Sequence, residues 1–370
     1  MPLKKIKKSA ATGLRAVRNG LAMILSPQIK LGQILHGMKY VINTTIFNKK
    51  IVRTVEIMHT LRCNCACAFC SNEKLSENHR LMKKEDVIYA LDKLISHGTV
   101  GFFFLGGETM TDPNLITYIE HVRKKNAIPM ICTNGTLLTE DNIKNLAKAG
   151  LFLATITIHD TIPEKHNSIV RRENSLETVM KAIPILKKYH IQVFLKTIYS
   201  KESVSSGAFE RILQLAKDYD VKLNVNPIMP VGRGFNDRYI LNEREKKEYM
   251  RCTLCDDAIT THTKGNYDSQ CPAGWLYLGI LPDGEILPCY FLPVSVGNIR
   301  NTDISTAQKR SAELNIFKKG ADSCIMAMNR KFYEKIIKEL YSGKYKLPVR
   351  VYENPSLQKK FYDFAEQYKI

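Results

Sequence analysis

From residue 51 to residue 234 the chain alternates between two rhythms, and that alternation limits its fold more than any other feature. "IVRTVEIMHT", "TVGFFFLGG", "AIPMICTNG", "LFLATITIHD", "IQVFLKTIY" and "VKLNVNPIMP" are short and rich in β-branched and aromatic residues. Between them, Lys83–His97, Pro113–Lys125, Glu140–Ala149, Leu176–Tyr189 and Ala208–Tyr219 carry apolar residues at helical spacing. Strands separated by helices of this length run parallel and are joined by right-handed crossovers. The fold class expected is α/β: a partial (β/α)6, TIM-like barrel with a small Cys-rich C-terminal extension. An open sheet fits the same pattern. In either arrangement the chemistry belongs at the C-terminal ends of the strands.

The rhythm stops near Gly234. "NDRYILNEREKKEYMR" reads as a polar helix that bridges to a second region. Residues 252–324 hold five of the ten cysteines, and 325–370 return to basic, helix-like sequence. No apolar run reaches the roughly 18 residues of a membrane span. No secretory signal stands out either, so the thiols are expected in a reducing compartment, where clustered cysteines mean metal or redox chemistry. The expected location is cytoplasmic, with the inner membrane face as a possible peripheral site.

The first run leads into "TLRCNCACAFCSNE", with Cys63, Cys65, Cys67 and Cys70 inside eight residues. Thiolates in so short a loop can converge on one soft metal centre. Zinc takes four closed ligands. A [4Fe–4S] cube takes one thiolate per iron, so Cys63, Cys67 and Cys70 would leave one iron open to something that reacts.

Here the sequence resembles the radical SAM superfamily. That family's loop after strand one is C-x3-C-x-aromatic-C, which here reads Cys63, Cys67, Phe69, Cys70. The resemblance implies that the open iron chelates S-adenosylmethionine (SAM). One electron then releases a 5′-deoxyadenosyl radical, which abstracts hydrogen from a substrate. Cys65 lies outside the spacing and reads as a bystander. "GGET" resembles the family's GGE motif, so Gly106, Gly107 and Glu108 are implied to hold the SAM amino group. Thr109 stands where the family more often has Pro. Thr133 and Asn134 of "TNG", and Thr157 of "TIHD", resemble further SAM-contacting positions. "HNSIVRREN" resembles a segment whose Arg pairs with the SAM carboxylate; Arg171 and Arg172 are both candidates. "PIMPVGRG" resembles the segment near adenine. The core is expected over 51–235, after a basic N-terminal segment at 1–50.

Cys271 and Cys289 flank "PDG", a hairpin turn. This segment resembles the opening of the SPASM or twitch extension, which binds an auxiliary cluster, and residues 236–330 are expected to form it. Cys324 follows, and Cys255 or Cys252 of "RCTLCDD" offers a fourth ligand unless the site stays open. The expected set is Cys255, Cys271, Cys289 and Cys324 around a second, auxiliary [4Fe–4S] cluster; a zinc site and free thiols are the alternatives. Cys132, inside a strand, reads as a buried apolar thiol. No general acid or base stands out, although Asp256, Asp257 and Tyr290 lie near these cysteines in sequence.

The net charge is +19, and residues 1–50 carry ten Lys or Arg with no Asp or Glu. "LRAVRNGLAMIL" (14–25) gathers Leu14, Val17, Leu21, Ile24 and Leu25 on one helical face. Such a helix can lie on an anionic membrane surface, bind nucleic acid, which is the lesser rival, or cap the barrel; residues 331–370 form a basic tail. Further expected partners are an electron donor such as flavodoxin or ferredoxin and a peptide, protein or lipid-precursor substrate. The competing reading from another class is a zinc-stabilised nucleic-acid-binding protein.

Overall fold

The computed structural model describes residues 26–73, 81–261, 271–317 and 324–368, apart from the side chains of Leu254 and Cys255. The amphipathic stretch expected at 14–25 lies outside the described residues. β1 (Thr54–Thr60), β2 (Gly101–Gly106), β3 (Ile128–Thr133), β4 (Leu153–Thr157), β5 (Gln192–Tyr199) and β6 (Lys222–Pro227) lie side by side in chain order, all parallel. The sheet does not close among the described residues. It continues at one end with β7 (Ile259–Thr260), parallel to β6. At the other end β8 (Tyr277–Ile280) runs parallel to β1, and β9 (Glu285–Leu287) returns antiparallel to β8. β10 (Val294–Ser295) pairs apart with β12 (Val349–Arg350), while β11 (Gly297–Asn298) ends the large sheet against β9. The fold is therefore an open partial α/β barrel. Its C-terminal extension adds β8, β9 and β11 to the same sheet, besides the small separate pair β10–β12.

Side-chain alternation along the strands separates two layers. Val55, Ile57, Phe102, Phe104, Ile131 and Ile156 face the helices, where Leu91, Leu94, Ile119 and Ile183 cover them completely. The concave face holds a smaller cluster of Met58, Leu105, Tyr277, Leu281, Leu287 and Tyr290, with Cys132 packed against it. Cys132 is thus a half-buried thiol on the concave face. Burial pushes its pKa up to about 11.

Several segments follow their local chemistry. Thr139 Oγ1 accepts from Asn142 N and caps the helix Glu140–Ala149. The polar bridge forms the helix Glu243–Cys255, started by a capping box between Asn242 and Glu245. The hairpin forms as β8–β9, with Cys271 shortly before it and Cys289 just after. Two features were not read from the sequence. Leu31–Thr45 is a helix. The C-terminal tail is also no loose appendage: Phe332, Phe361 and Phe364 are buried in the main core. Tyr341 stacks on Phe235 at 4.6 Å, and its hydroxyl accepts from Gly232 N at 3.2 Å.

Leu94 lies fully buried between its helix and the sheet. Leu94→Ala is expected to lower the free energy of unfolding by about 3 kcal/mol, read as a lower urea midpoint with an unchanged slope.

Candidate functional site

The cysteine loop leaves β1 and is clamped from several sides. Ala66 N donates to Val170 O and Ala68 N to Ile169 O, each at 3.0 Å. Arg172 Nη1 donates to Asn64 O at 3.0 Å. Asn134 Nδ2 reaches Asn64 Oδ1 at 2.9 Å and Cys65 Sγ at 3.3 Å. From the far side, Arg233 donates its backbone N–H to Cys70 O (2.9 Å) and its Nη1 to Cys67 O (2.8 Å). Gly232, at φ +58°, lies so close that a Cβ there would sit 2.4 Å from Cys70 O.

The GGE turn fits against the start of this loop. Gly107 N donates to Thr60 O (3.0 Å) and Glu108 N to Arg62 O (2.7 Å). A Cβ on Gly106 would lie 2.5 Å from Thr60 O, and one on Gly107 2.4 Å from Arg62 O. The glycines are required by this backbone approach. Thr109 is held in turn by His59, whose Nε2 lies 2.8 Å from Thr109 Oγ1 while Nδ1 meets Asp112 Oδ2 at 2.7 Å. That network, built around the residue that departs from the family's Pro, was not legible in the sequence.

Glu108 is buried, with 1% of its surface exposed. Its carboxylate accepts from Thr133 Oγ1 (2.6 Å), Asn134 N (2.7 Å) and Met110 N (3.0 Å). Burial outweighs those three donors and pushes the carboxyl up to about 7. Phe69 meets His159 edge to face, ring centroids 5.0 Å apart. Burial, then the charges of His166 and Lys196, push His159 down to about 3, so this imidazole is neutral at physiological pH. Thr157 pairs in register with Lys196, and Lys196 with Asn224. Partners in parallel register share a face of the sheet, so these three form a polar row across β4, β5 and β6. Among the described residues Lys196 has no ion pair, and Asn224 Oδ1 is buried without a partner. The sequence reading missed both, because a Lys and an Asn in separate β-runs gain meaning only through register. Of the two arginine candidates, Arg172 braces the cysteine loop, while Arg171 sits exposed at a helix end with φ 55°.

The loop thiols act on one another. Burial, then the charges of Cys70 and Cys63, push Cys67 up to about 11. Cys63 is pushed down to about 6, first by its hydrogen bond with Cys65. Arg233 favours the charged forms of both Cys63 and Cys67. Mutually repelling thiolates in a braced loop fit a cationic iron–sulfur group, which takes one thiolate per iron. Among the described residues, no three His, Cys, Asp or Glu converge as they would on one metal ion.

The thiols of the second set come from three places and lie close enough to influence one another electrostatically. Burial, then Cys324, pushes Cys271 up to about 12, and Cys289 is pushed well up by burial, then by Cys324 and Cys271. Cys252 stands apart: its Sγ donates to Glu248 Oε1 at 3.5 Å. The side chain of Cys255 lies outside the described residues. Asp256 is paired with Lys217 at 2.7 Å, and Asp257 O accepts from Lys222. Tyr290 connects the two regions. It follows Cys289 and donates from its hydroxyl to Asn72 Oδ1 at 2.5 Å; Asn72 Nδ2 then donates to Gly106 O at 2.7 Å.

A partial barrel with a three-cysteine loop after its first strand defines a class, and comparison with known proteins agrees. Residues 57–203 match the Radical SAM superfamily, and residues 271–328 match SPASM, an iron–sulfur cluster-binding domain. The chain belongs to the radical SAM superfamily. Within it, the chain is an enzyme of the type that carries a SPASM extension. This pair of domains takes a [4Fe–4S] cluster with SAM in the first and an auxiliary iron–sulfur cluster in the second, which favours iron–sulfur over zinc at the second set. The AdoMet-dependent heme synthase of Methanosarcina barkeri is 23% identical over 272 residues, 65% of this chain and 77% of that protein. The subtilosin biosynthesis protein AlbA of Bacillus subtilis is 26% identical over 257 residues, 66% of this chain and 56% of AlbA. In fold, the chain is similar to Streptococcus suis SuiB bound to precursor peptide SuiA: TM-score 0.57 and 14% identity, over 79% of this chain and 70% of SuiB.

Gly107→Ala is expected to cost about 2 kcal/mol or more, because the obstacle is backbone rather than a movable side chain. The readouts are a lower melting temperature and less iron retained per chain after anaerobic reconstitution.

Proposed function

We propose that this enzyme uses SAM to abstract hydrogen from a peptide or protein substrate held on the concave face of the barrel. The observation that carries this reading is the Cys289–Tyr290–Asn72–Gly106 connection. It ties the residue after Cys289 to the GGE turn through Asn72, which supports a substrate lying between the two regions. AlbA, which serves bacteriocin biosynthesis, and SuiB, bound to a precursor peptide, support a peptide over a small metabolite. The heme synthase shows that relatives of similar identity also take other substrates.

The residue roles are those the family resemblance implies, and the geometry supports them. Cys63, Cys67 and Cys70 hold the cluster, and Phe69 packs the loop against His159. When bound, the reduced [4Fe–4S] group supplies the single electron that splits SAM to the 5′-deoxyadenosyl radical. Gly106, Gly107 and an ionised Glu108 receive the SAM ammonium, and Thr133 and Asn134 orient that carboxylate. Thr157 offers a hydroxyl to SAM. Arg172, closer to the loop than Arg171, and Lys196 are cations for carboxylate groups. Cys271, Cys289 and Cys324, with Cys255 as the fourth ligand, would hold the auxiliary cluster, whose chemistry there would be to serve as acceptor for one electron from the substrate radical. The cationic surface suits an acidic electron donor of the flavodoxin or ferredoxin kind. The basic residues 1–50 suit an anionic membrane surface, as expected from their charge. No helix among the described residues is long and apolar enough to cross a membrane.

On reduction with SAM, the reconstituted enzyme is expected to release 5′-deoxyadenosine. Cys67→Ala should abolish that product, whereas Cys65→Ala should keep more than half of it; equal losses would remove the assignment of ligands. The Glu108 carboxyl, displaced upward to about 7, must lose its proton to meet an ammonium. SAM affinity measured by equilibrium dialysis should therefore rise about tenfold between pH 6 and pH 8. Glu108→Gln should bind more weakly, with no pH dependence across that range.

A further inference from the structure

The helix Leu31–Thr45 presents its sides in the reverse of the usual order. Helices on globular proteins bury an apolar stripe and show a polar one. Here the packed side is polar: Gln33, buried, donates from Nε2 to Ala127 O at 2.8 Å, and His36 Nδ1 lies 2.9 Å from Asn126 O. The outer side is apolar. Leu31, Leu35, Met38 and Ile42 follow one another at i, i+4, i+7 and i+11, and are 69%, 55%, 54% and 43% exposed. Val41 lies beside them, and Ile46 and Phe47 continue the stripe just past the helix, 72% and 63% exposed. Seven of the ten large apolar side chains exposed among the described residues fall between residues 31 and 47. So contiguous an apolar face marks an interaction surface.

Its charge selects the partner. Residues 26–50 contain Lys30, Lys39, Lys49 and Lys50 and no Asp or Glu. A second copy docked on this face would bring the same cations together. Residues 1–25 add six more Lys or Arg and no acid, so laying them on the face would also stack like charges. An anionic bilayer meets both demands, taking the apolar stripe into the acyl boundary and the lysines into the headgroups.

The helix's position then fixes an orientation. Its partners Asn126 and Ala127 precede β3. Gln28, just before the helix, donates from Nε2 to Tyr189 O at 3.2 Å and accepts from Arg123 Nη1 at 2.6 Å, contacts that precede β5 and β3. The helix therefore lies at the N-terminal ends of the parallel strands. The cysteine loop and the GGE turn lie at the opposite ends, one strand length away, roughly 20 Å for six residues.

We infer that residues 31–47 seat the enzyme on an anionic bilayer, with the mouth of the barrel opening away from it. This deepens the membrane-surface reading above and rests on it. It places the contact on a helix the sequence did not reveal, and it has the substrate arrive from the aqueous side, as a peptide does, rather than out of the bilayer.

The test uses the full reconstituted chain with vesicles of phosphatidylcholine alone or mixed equally with phosphatidylglycerol. The wild type should pellet with the mixed vesicles and far less with the neutral ones. Leu35→Gln/Met38→Gln/Ile42→Gln, which alters only exposed side chains, should bind at least about tenfold more weakly while still cleaving SAM in solution. Acetylation read by mass spectrometry should show Lys39 and Lys49 protected on the vesicles, with Lys165 and Lys201, beyond the C-terminal ends of β4 and β5, as reactive as before. If the wild type pellets with neither vesicle, the membrane reading and this inference fall together. If the triple variant pellets like the wild type, attachment stands and this helix is not its seat. Protection of Lys165 and Lys201 instead would overturn the orientation. A vesicle-free dimer that the triple variant dissolves would assign the face to a second copy and overturn the inference.

Discussion

The close backbone approach between the GGE turn and the start of the cysteine loop sets the position of everything else in the site. With no Cβ at Gly106 or Gly107, the end of β2 can lie against Thr60 and Arg62 and exchange hydrogen bonds with them. The carboxylate of Glu108 is thereby fixed relative to Cys63, Cys67 and Cys70. Gly232 and Arg233 repeat the device from the opposite side, and Tyr341 of the C-terminal tail steadies Gly232. A loop with four cysteines within eight residues is thus held by backbone contacts from β2, from the helix after β4 and from the segment after β6.

The electrostatics follow from that clamp. Buried thiols and a buried carboxyl resist ionisation, and the displaced pKa values of Cys67 and Glu108 express this resistance. Arg233 and Arg172 already stand close enough to favour thiolate charge. Burial thus raises the pKa values of Cys67 and Glu108, while the nearby guanidinium groups work against it at the thiols.

The second region is joined to the first mechanically as well as chemically. β8 extends the barrel sheet beside β1, and Tyr277 OH donates to Glu56 at 2.5 Å. Tyr290 meets Asn72 just beyond Cys70. The two cysteine sets are thus tied through one continuous sheet and one concave cluster, so their separation is set by strand pairing and not by a flexible linker.

The sequence alone determined the parallel α/β order, because helix and strand periodicities are local and repeat six times. It also singled out Cys63, Cys67 and Cys70, because a short loop can only bring its own residues together, and it singled out Phe69 and the GGE turn through their likeness to the family's motifs. Tertiary structure decided what depends on pairing across the chain. Lys196 and Asn224 join Thr157 only through the register of β4, β5 and β6. His59 holds Thr109 across fifty residues, and Cys252 turns away from the auxiliary set because its helix directs it to Glu248. The outward apolar face of Leu31–Thr45 was hidden for the same reason. Periodicity shows that a helix has two sides, but only its contacts with Asn126 and Ala127 show which side is bound.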